Sequence, residues 1–168
     1  MEKVNTNKDL LMLSLSRFYM KENNINIIKE VINGKHRISL RLLDWFVTNY
    51  SKKHNTCIEN QNGEYLKVYL SYRAQLKAYS KQQFDPFRRR ERISFIYDTD
   101  KNLETTVGQL NFFRWILEND IIDYVLKNIY DIEQDMIEAQ KRKKESEVNQ
   151  STSYTMNKMD IPMIISFD

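Results

Sequence analysis

The stretch Tyr79–Arg92 carries the side chains that could do the clearest chemistry, because four arginines lie beside aromatic rings. A guanidinium group can bind a phosphate through two parallel hydrogen bonds, and an aromatic ring can stack on an unpaired base. The preceding stretch adds further cations and tyrosines at alternating positions, which on a strand would share one accessible, pleated sheet face, the type of platform that binds single-stranded nucleic acid. The predicted nucleic-acid-binding residues are Lys67, Tyr69, Arg73, Lys77, Tyr79, Lys81, Arg88, Arg89, Arg90 and Arg92.

Two other interpretations of these cations stay open: a solvated basic loop that pairs with acidic residues of the same chain, and a patch that docks another protein. The charge distribution is compatible with each. From Lys35 to Arg92 thirteen basic residues stand against five acidic ones, and from Asp98 to Glu138 ten acidic residues stand against three basic ones. Such asymmetry can steer an anionic partner, or it can hold the two segments together.

Residues for catalysis or metal binding are sparse. His36 and His54 are the only histidines, and His54 forms with Cys57 a single H-x-x-C pair, whereas a structural zinc site needs about four ligands. No serine or cysteine nucleophile has a base at a recognisable spacing, and Gly108 stands alone rather than in a phosphate-binding glycine loop. We therefore expect no catalytic residue, no metal and no cofactor.

Two carboxylates, Asp85 and Glu91, lie near the four arginines and could in principle hold a metal ion for nuclease chemistry. No Glu-x-Lys or histidine-rich motif accompanies them, so we expect them to form salt bridges with Arg88 or Arg92.

Several features indicate an intracellular protein. The single cysteine excludes an internal disulfide and suits a reducing compartment. No apolar run approaches the roughly 18 residues of a membrane span, and the first residues lack the basic-then-apolar order of a signal peptide. We expect no membrane association.

Helices are predicted for the first third of the chain. The first begins near Asn7 or Asp9, and the second covers Asn26–Ile32. Ser39 is placed to cap a third helix, Leu40–Lys53, whose wide apolar stripe indicates burial.

The stretch Leu66–Ala78 has apolar residues at every second position, which favours a long, half-buried strand. A helix is the alternative, because Tyr65, Tyr69, Tyr72, Leu76 and Tyr79 also fit a 3.6-residue period. Alternation at 93–97 and 103–107 around a turn-rich stretch predicts a β-hairpin.

Two helices follow, Gln109–Asn119 and a second that begins after Asp120. The fold class is α+β: N-terminal helices, a small antiparallel sheet with a β-hairpin, two C-terminal helices and a disordered tail. We predict one domain over residues 1–144, followed at 145–168 by a flexible polar linker and an apolar C-terminal peptide.

The C-terminal peptide is predicted to bind a partner, because an apolar segment beyond a polar linker cannot bury itself locally. Docking on the protein's own sheet edge is the equal alternative. The partner-binding residues would be Ile161, Met163, Ile164, Ile165 and Phe167.

A winged-helix interpretation is also open, with Asn26–Ile32 and Leu40–Lys53 as a helix-turn-helix and the hairpin as a wing. A recognition helix presents polar residues to the bases. The second helix begins instead with Leu40, Leu42 and Leu43, and only Arg41, Asn49 and Lys52 are predicted to be accessible.

Three stretches together resemble a group of uncharacterised proteins of large eukaryotic double-stranded DNA viruses, of the mimivirus and phycodnavirus kind. They are 38–50 (ISLRLLDWFVTNY), 76–80 (LKAYS) leading to 84–87 (FDPF), and 104–115 (ETTVGQLNFFRW). The resemblance covers roughly Phe18 to Met136 and implies no activity. It implies a location in the host cytoplasm or viral factory, and a place in the virion or the viral transcription machinery.

The sequence and the resemblance together lead to one functional prediction. We expect a non-enzymatic protein that assembles with other viral proteins and contacts single-stranded or double-stranded nucleic acid. An enzyme of nucleic-acid metabolism with an unrecognised site is the alternative from another class.

Overall fold

The computed structural model describes residues 7–21 and 23–167, with side chains described up to Ser151. The chain divides into two compact units, Met1–Ile129 and Tyr130–Asp168. The predicted α+β class is confirmed, with two separate two-stranded antiparallel sheets where one small sheet was expected. The elements are α1 (Asn7–Met20), α2 (Asn24–Ile32), α3 (Leu40–Trp45), a π-helical turn (Phe46–Tyr50), α4 (Ser51–His54), β1 (Cys57–Glu59), β2 (Tyr65–Lys67), α5 (Val68–Tyr79), β3 (Ile93–Asp98), β4 (Lys101–Thr105), α6 (Val107–Glu118), α7 (Ile121–Lys127) and α8 (Ile129–Phe167).

The predicted helix at 40–53 is confirmed as a continuous run from α3 to α4. The Ser39 side chain accepts a hydrogen bond from the Leu42 backbone N–H at 3.1 Å, as expected for an N-cap. The π-helical turn in its middle buries Phe46 and Val47. At the end of α4, Asn55 takes a left-handed conformation, which is common for asparagine after a helix.

The predicted long strand at 66–78 is wrong, because the structure has only the short strand β2 there, followed by helix α5. Val68 is fully buried and Tyr72 half-buried, four positions on, as a helix requires. Leu70, which a strand would place on the same face as Val68, is 60% exposed. The alternating pattern arose because Leu70, Ala74 and Ala78 are apolar residues on the solvent side of a helix.

The predicted β-hairpin is confirmed. β3 and β4 pair antiparallel, with a register shift between Ile96 and Asp98. Phe95 faces Leu103 across the pair and both are buried. The ring of Phe95 lies edge-on to the buried ring of Tyr19 in α1, with centroids 5.7 Å apart. This contact attaches the hairpin to the N-terminal helices.

Helix α6 runs through the core of the first unit. The Thr106 side chain accepts a hydrogen bond from the Gln109 backbone N–H and caps the helix. The tyrosine hydroxyl of Tyr19 donates to the Leu110 carbonyl oxygen at 2.5 Å. The buried residues of α6 are Gly108, Leu110, Asn111, Phe112, Phe113, Trp115 and Ile116.

The second predicted C-terminal helix is two helices, α7 and α8, because the Asn128 backbone N–H closes α7 on the Tyr124 and Val125 carbonyls. In the second unit, residues 145–151 are helical, where a disordered linker was expected. They contain neither glycine nor proline, and glutamate and glutamine favour helix even without burial. The predicted division at residue 144 stays a prediction. No helix of the described residues has the length and apolar character of a membrane span.

Candidate nucleic-acid interface

The end of strand β2 and helix α5 carry the first four residues of the predicted site, Lys67, Tyr69, Arg73 and Lys77. Arg73 and Lys77 are one turn apart and both are exposed. Lys67 is the last residue of β2 and stands exposed at the N-cap position of α5. This end of the predicted site therefore presents cations to solvent.

The tyrosines of the predicted site are engaged within the fold. Lys52 lies over the ring of Tyr69, with its Nζ 5.5 Å from the ring centroid. The ring of Tyr79 stacks on Phe84 at 5.9 Å between centroids and an interplanar angle of 9°. Because α5 is a helix, Tyr79 points about 200° around the axis from Lys77. The shared pleated surface of rings and cations that the sequence predicted is therefore absent.

The loop after α5, residues 81–87, is held against α6 by side-chain hydrogen bonds, and we call it the anchored loop. The Asn111 Nδ2 donates to the Gln83 carbonyl oxygen, and the Gln109 Nε2 donates to the Pro86 carbonyl oxygen, each at 2.9 Å. Phe84 is buried at 1% exposure among the rings of Tyr79, Phe112 and Trp115. The anchored loop is thus held at Gln83, Phe84 and Pro86.

Gly108 allows this close approach of α6. A Cβ atom at this position would lie 2.7 Å from the Asp85 carbonyl oxygen and 3.1 Å from the Gln82 carbonyl oxygen. Both atoms belong to the backbone, so neither can move away without displacing the loop. The glycine that looked isolated in sequence has a packing role.

The arginines follow the anchored loop. Arg88 is half-buried and its Nη2 lies 3.4 Å from the Glu91 Oε2, so the predicted pairing of Glu91 with Arg88 is confirmed. The Asp85 Oδ1 instead accepts a hydrogen bond from the Phe87 backbone N–H at 2.9 Å, which closes a local turn. Arg89, Arg90 and Arg92 are exposed, as is Lys81 before them.

Seven of the ten predicted residues share two properties: they are exposed cations, and within the described residues none makes an ion pair or a side-chain hydrogen bond. We call them the basic set. It consists of Lys67, Arg73, Lys77, Lys81, Arg89, Arg90 and Arg92.

The carboxyl group of Asp44 in α3, which interacts with that of Asp85 in the anchored loop, was not predicted from the sequence. Burial, together with the negative charge of Asp85, raises the pKa of Asp44 to about 6. Burial also raises the pKa of Tyr72, with smaller contributions from the same two carboxylates. The signal in the sequence was the position of Asp44, which interrupts an apolar run between Leu43 and Trp45.

A polar surface pocket of about 380 Å³ lies on α2 and was also not predicted. Its lining residues are Asn26, Lys29, Glu30, Asn33 and Lys35. The Lys29 Nζ donates to the Tyr97 hydroxyl of β3 at 2.7 Å, which fixes that lysine. Because two lysines stand beside a glutamate, the pocket has a mixed charge.

Three other interpretations of the sequence concerned a metal site, a winged helix and a partner-binding C-terminal peptide. No group of three or more histidine, cysteine, aspartate or glutamate side chains occurs within the described residues in a geometry for a metal. For the winged-helix interpretation, Leu42 and Leu43 are buried, while Arg41, Asn49 and Lys52 are exposed as expected. The predicted partner-binding side chains, Ile161, Met163, Ile164, Ile165 and Phe167, lie outside the described side chains.

Comparison with known proteins gives two similarities. The profile of a family described as a "family of unknown function (DUF7197)" matches residues 2–164. The "Uncharacterized protein L507" of Acanthamoeba polyphaga mimivirus is 43% identical over 141 residues, which cover 79% of this chain and 54% of that protein. The chain thus spans about half the length of this relative. No solved structure matches. The resemblance to uncharacterised proteins of large DNA viruses is confirmed.

Proposed function

We propose, from the premise that this viral chain belongs to the family of unknown function DUF7197, that it is a non-enzymatic binding protein. Its basic set would hold a nucleic acid by the phosphate groups. In an infected cell it would act together with other viral proteins, in the host cytoplasm or viral factory or in the virion.

The observation that carries the proposal is the exposure of seven cations from a short stretch of chain, without ion-pair partners among the described residues. Like charges that stand close together repel each other and oppose folding. An anionic partner removes this repulsion, and each phosphate that a lysine or arginine neutralises releases a counterion into solution. The basic set therefore suits a polyanion better than it suits an isolated protein.

Fixed backbone geometry also supports the proposal. Arg89 and Arg90 lie two and three residues beyond the anchored loop, which Gln109 and Asn111 hold in place. Arg73 and Lys77 project from one side of a regular helix. Cations on ordered segments lose less conformational entropy when they bind than cations on a flexible arm.

The alternatives differ in what they would bind or convert. If the basic set instead docks an acidic protein, this chain should have no affinity for oligonucleotides. An enzyme of nucleic-acid metabolism would turn over a nucleotide or polynucleotide. A winged-helix protein would depend on Arg41 and Asn49 and would prefer double-stranded DNA.

The first test is a salt series of oligonucleotide binding, measured by fluorescence anisotropy on the full chain. We expect the logarithm of the affinity to fall linearly with the logarithm of the salt concentration. Replacing four members of the basic set by alanine (Arg73, Lys77, Arg89 and Arg90) should reduce the slope by up to about 3, because each phosphate contact on a single strand contributes about 0.7.

A matched control has the same change in net charge. It replaces the exposed run Lys141, Arg142, Lys143 and Lys144 of α8 by alanine, and we expect its slope to stay close to the wild-type value. Absence of binding at low salt, or an equal loss in both variants, would contradict the proposal. Turnover of a nucleotide or polynucleotide would favour the enzyme.

A further inference from the structure

We propose that Phe87 is a stacking platform for an unpaired base, so that the preferred ligand is a single-stranded nucleic acid. This inference rests on the proposed function and specifies its ligand. Phe87 was not among the residues that the sequence predicted for the site. It is 46% exposed, and it immediately precedes the arginine run.

The two phenylalanines of the segment 84–87 have opposite positions. Phe84 is 1% exposed and packs on Tyr79, Phe112 and Trp115. Phe87, three residues later, is directed to solvent. Hydrophobic burial accounts for Phe84, because a buried aromatic side chain contributes about 2–3 kcal/mol. Burial accounts for Phe87 only in part, because nearly half of this residue remains in contact with water.

The backbone of Phe87 is held in place. Its N–H donates to the Asp85 Oδ1 at 2.9 Å, and the carbonyl oxygen of the preceding Pro86 accepts from the Gln109 Nε2 at 2.9 Å. Gly108 lets α6 contact the backbone of Asp85. A ring on an immobilised backbone loses little conformational freedom when it binds.

The neighbouring charges suit a nucleotide strand. Arg89 and Arg90 are exposed and without ion-pair partners in the described part of the chain, and they follow Phe87 within three positions. Proteins that bind single strands combine cations for the backbone with rings on which bases stack. In a duplex the base faces are covered by neighbouring bases, so a protruding ring has nothing to stack on.

The test compares a single-stranded oligonucleotide with the duplex of the same sequence, on the full chain. Phe87→Ala should weaken single-strand binding about 5- to 100-fold, which corresponds to the usual contribution of one stacked base. The loss should be equal at every salt concentration, because the ring carries no charge. Binding to the duplex should stay unchanged.

Two further variants separate stacking from other effects. Phe87→Trp should retain single-strand affinity, whereas Phe87→Leu, which keeps an apolar side chain without a ring, should lose it. Tyr130→Ala is the control, since Tyr130 is a 70% exposed ring outside the basic set, and it should bind as the wild type does.

The outcomes distinguish this inference from the proposed function. If the wild type binds neither strand form, the proposed function fails and the inference fails with it. If the wild type binds with a steep salt slope but Phe87→Ala leaves single-strand affinity unchanged, or weakens both forms equally, only the role of Phe87 is wrong. Phe87→Leu with wild-type affinity would also overturn it.

Discussion

Asp44 shows how one buried carboxyl group can oppose the stability of the fold at neutral pH. Burial and the negative charge of Asp85 together raise its pKa to about 6. The pKa in the folded protein lies above the ordinary value of 3.8, so folding favours the protonated form. The contribution of Asp44 to the free energy of unfolding should therefore be most favourable below pH 4, fall as the pH rises from about 4 to about 6, and stay low above that.

We expect Asp44→Asn to stabilise the protein at pH 7.5, because the amide cannot ionise. The difference between a pKa of about 6 and the ordinary 3.8 corresponds to about 3 kcal/mol for a fully buried group. Asp44 is partly accessible to solvent, which screens the charge, so we expect a gain of about 1 kcal/mol. Urea unfolding at pH 7.5 and at pH 4 measures it, and the gain should disappear at pH 4.

A second substitution of a carboxylate by an amide, at an exposed position, provides the control for Asp44→Asn. Glu104 in β4 is exposed, and Glu104→Gln should change the free energy of unfolding little at either pH. If Asp44→Asn has the same effect at pH 4 as at pH 7.5, ionisation of Asp44 is not the cause.

Residue-level features could be predicted from the sequence where neighbours along the chain decide them. The cap by Ser39 and the ion pair between Arg88 and Glu91 belong to this class. The burial of Asp44 and the packing role of Gly108 depend on contacts with distant parts of the chain. The sequence signals Asp44 only by its position within an apolar run, and it carries no direct signal for the packing of Gly108.

At the level of elements, α5 shows that an alternating apolar pattern does not by itself identify a strand. Its sequence fits a period of 2 and a period of 3.6. The choice is made by packing, because Tyr72 contacts both Phe84 and Trp115, with centroids 6.1 Å apart in each case. The Trp115 Nε1 also donates to the Ser71 Oγ at 2.9 Å. These partners become visible only in three dimensions.

The helical assignment of α5 makes opposite predictions for two residues that a strand would treat alike. Val68 is fully buried and Leu70 is 60% exposed. We expect Val68→Ala to lower the free energy of unfolding by about 2 kcal/mol, because it leaves a cavity. Leu70→Ala should change it by less than about 0.5 kcal/mol, as is usual for an exposed side chain.

Chemical denaturation of the two variants provides the measurement, and each serves as the control for the other. Similar losses for Val68→Ala and Leu70→Ala would indicate that both side chains are buried. In that case these residues would form the strand that the alternation predicts, and they would not form helix α5.

On the scale of the whole molecule, the stretches that carry the viral resemblance meet in the first unit. Phe84 lies edge-on to Phe112 and Trp115, with centroids 5.7 and 5.9 Å apart, and so joins the second stretch to the third. The negative charge of Asp85 in the second stretch contributes to the raised pKa of Asp44 in the first. Residues that look separate in sequence thus surround the anchored loop, and the basic set extends from it in both directions along the chain.

The overall architecture was predictable, since the helices, the hairpin and the fold class follow from periodicity and turn residues. The exposure of the cations also follows from their charge. The pleated platform of rings and cations could not be predicted correctly, because it depended on the assignment of one element. What remains of the predicted site is the basic set, to which we propose to add Phe87.

Lysine footprinting of the full chain tests the central claim most directly, because it locates the contact with nucleic acid along the sequence. The chain is acetylated with and without a single-stranded oligonucleotide at low salt, and the modified residues are quantified by mass spectrometry. We expect protection of Lys67, Lys77 and Lys81, while Lys101 and the run Lys141–Lys144 remain reactive. Equal protection of all lysines, or protection of Lys141–Lys144 alone, would contradict the assignment of the basic set as the nucleic-acid interface.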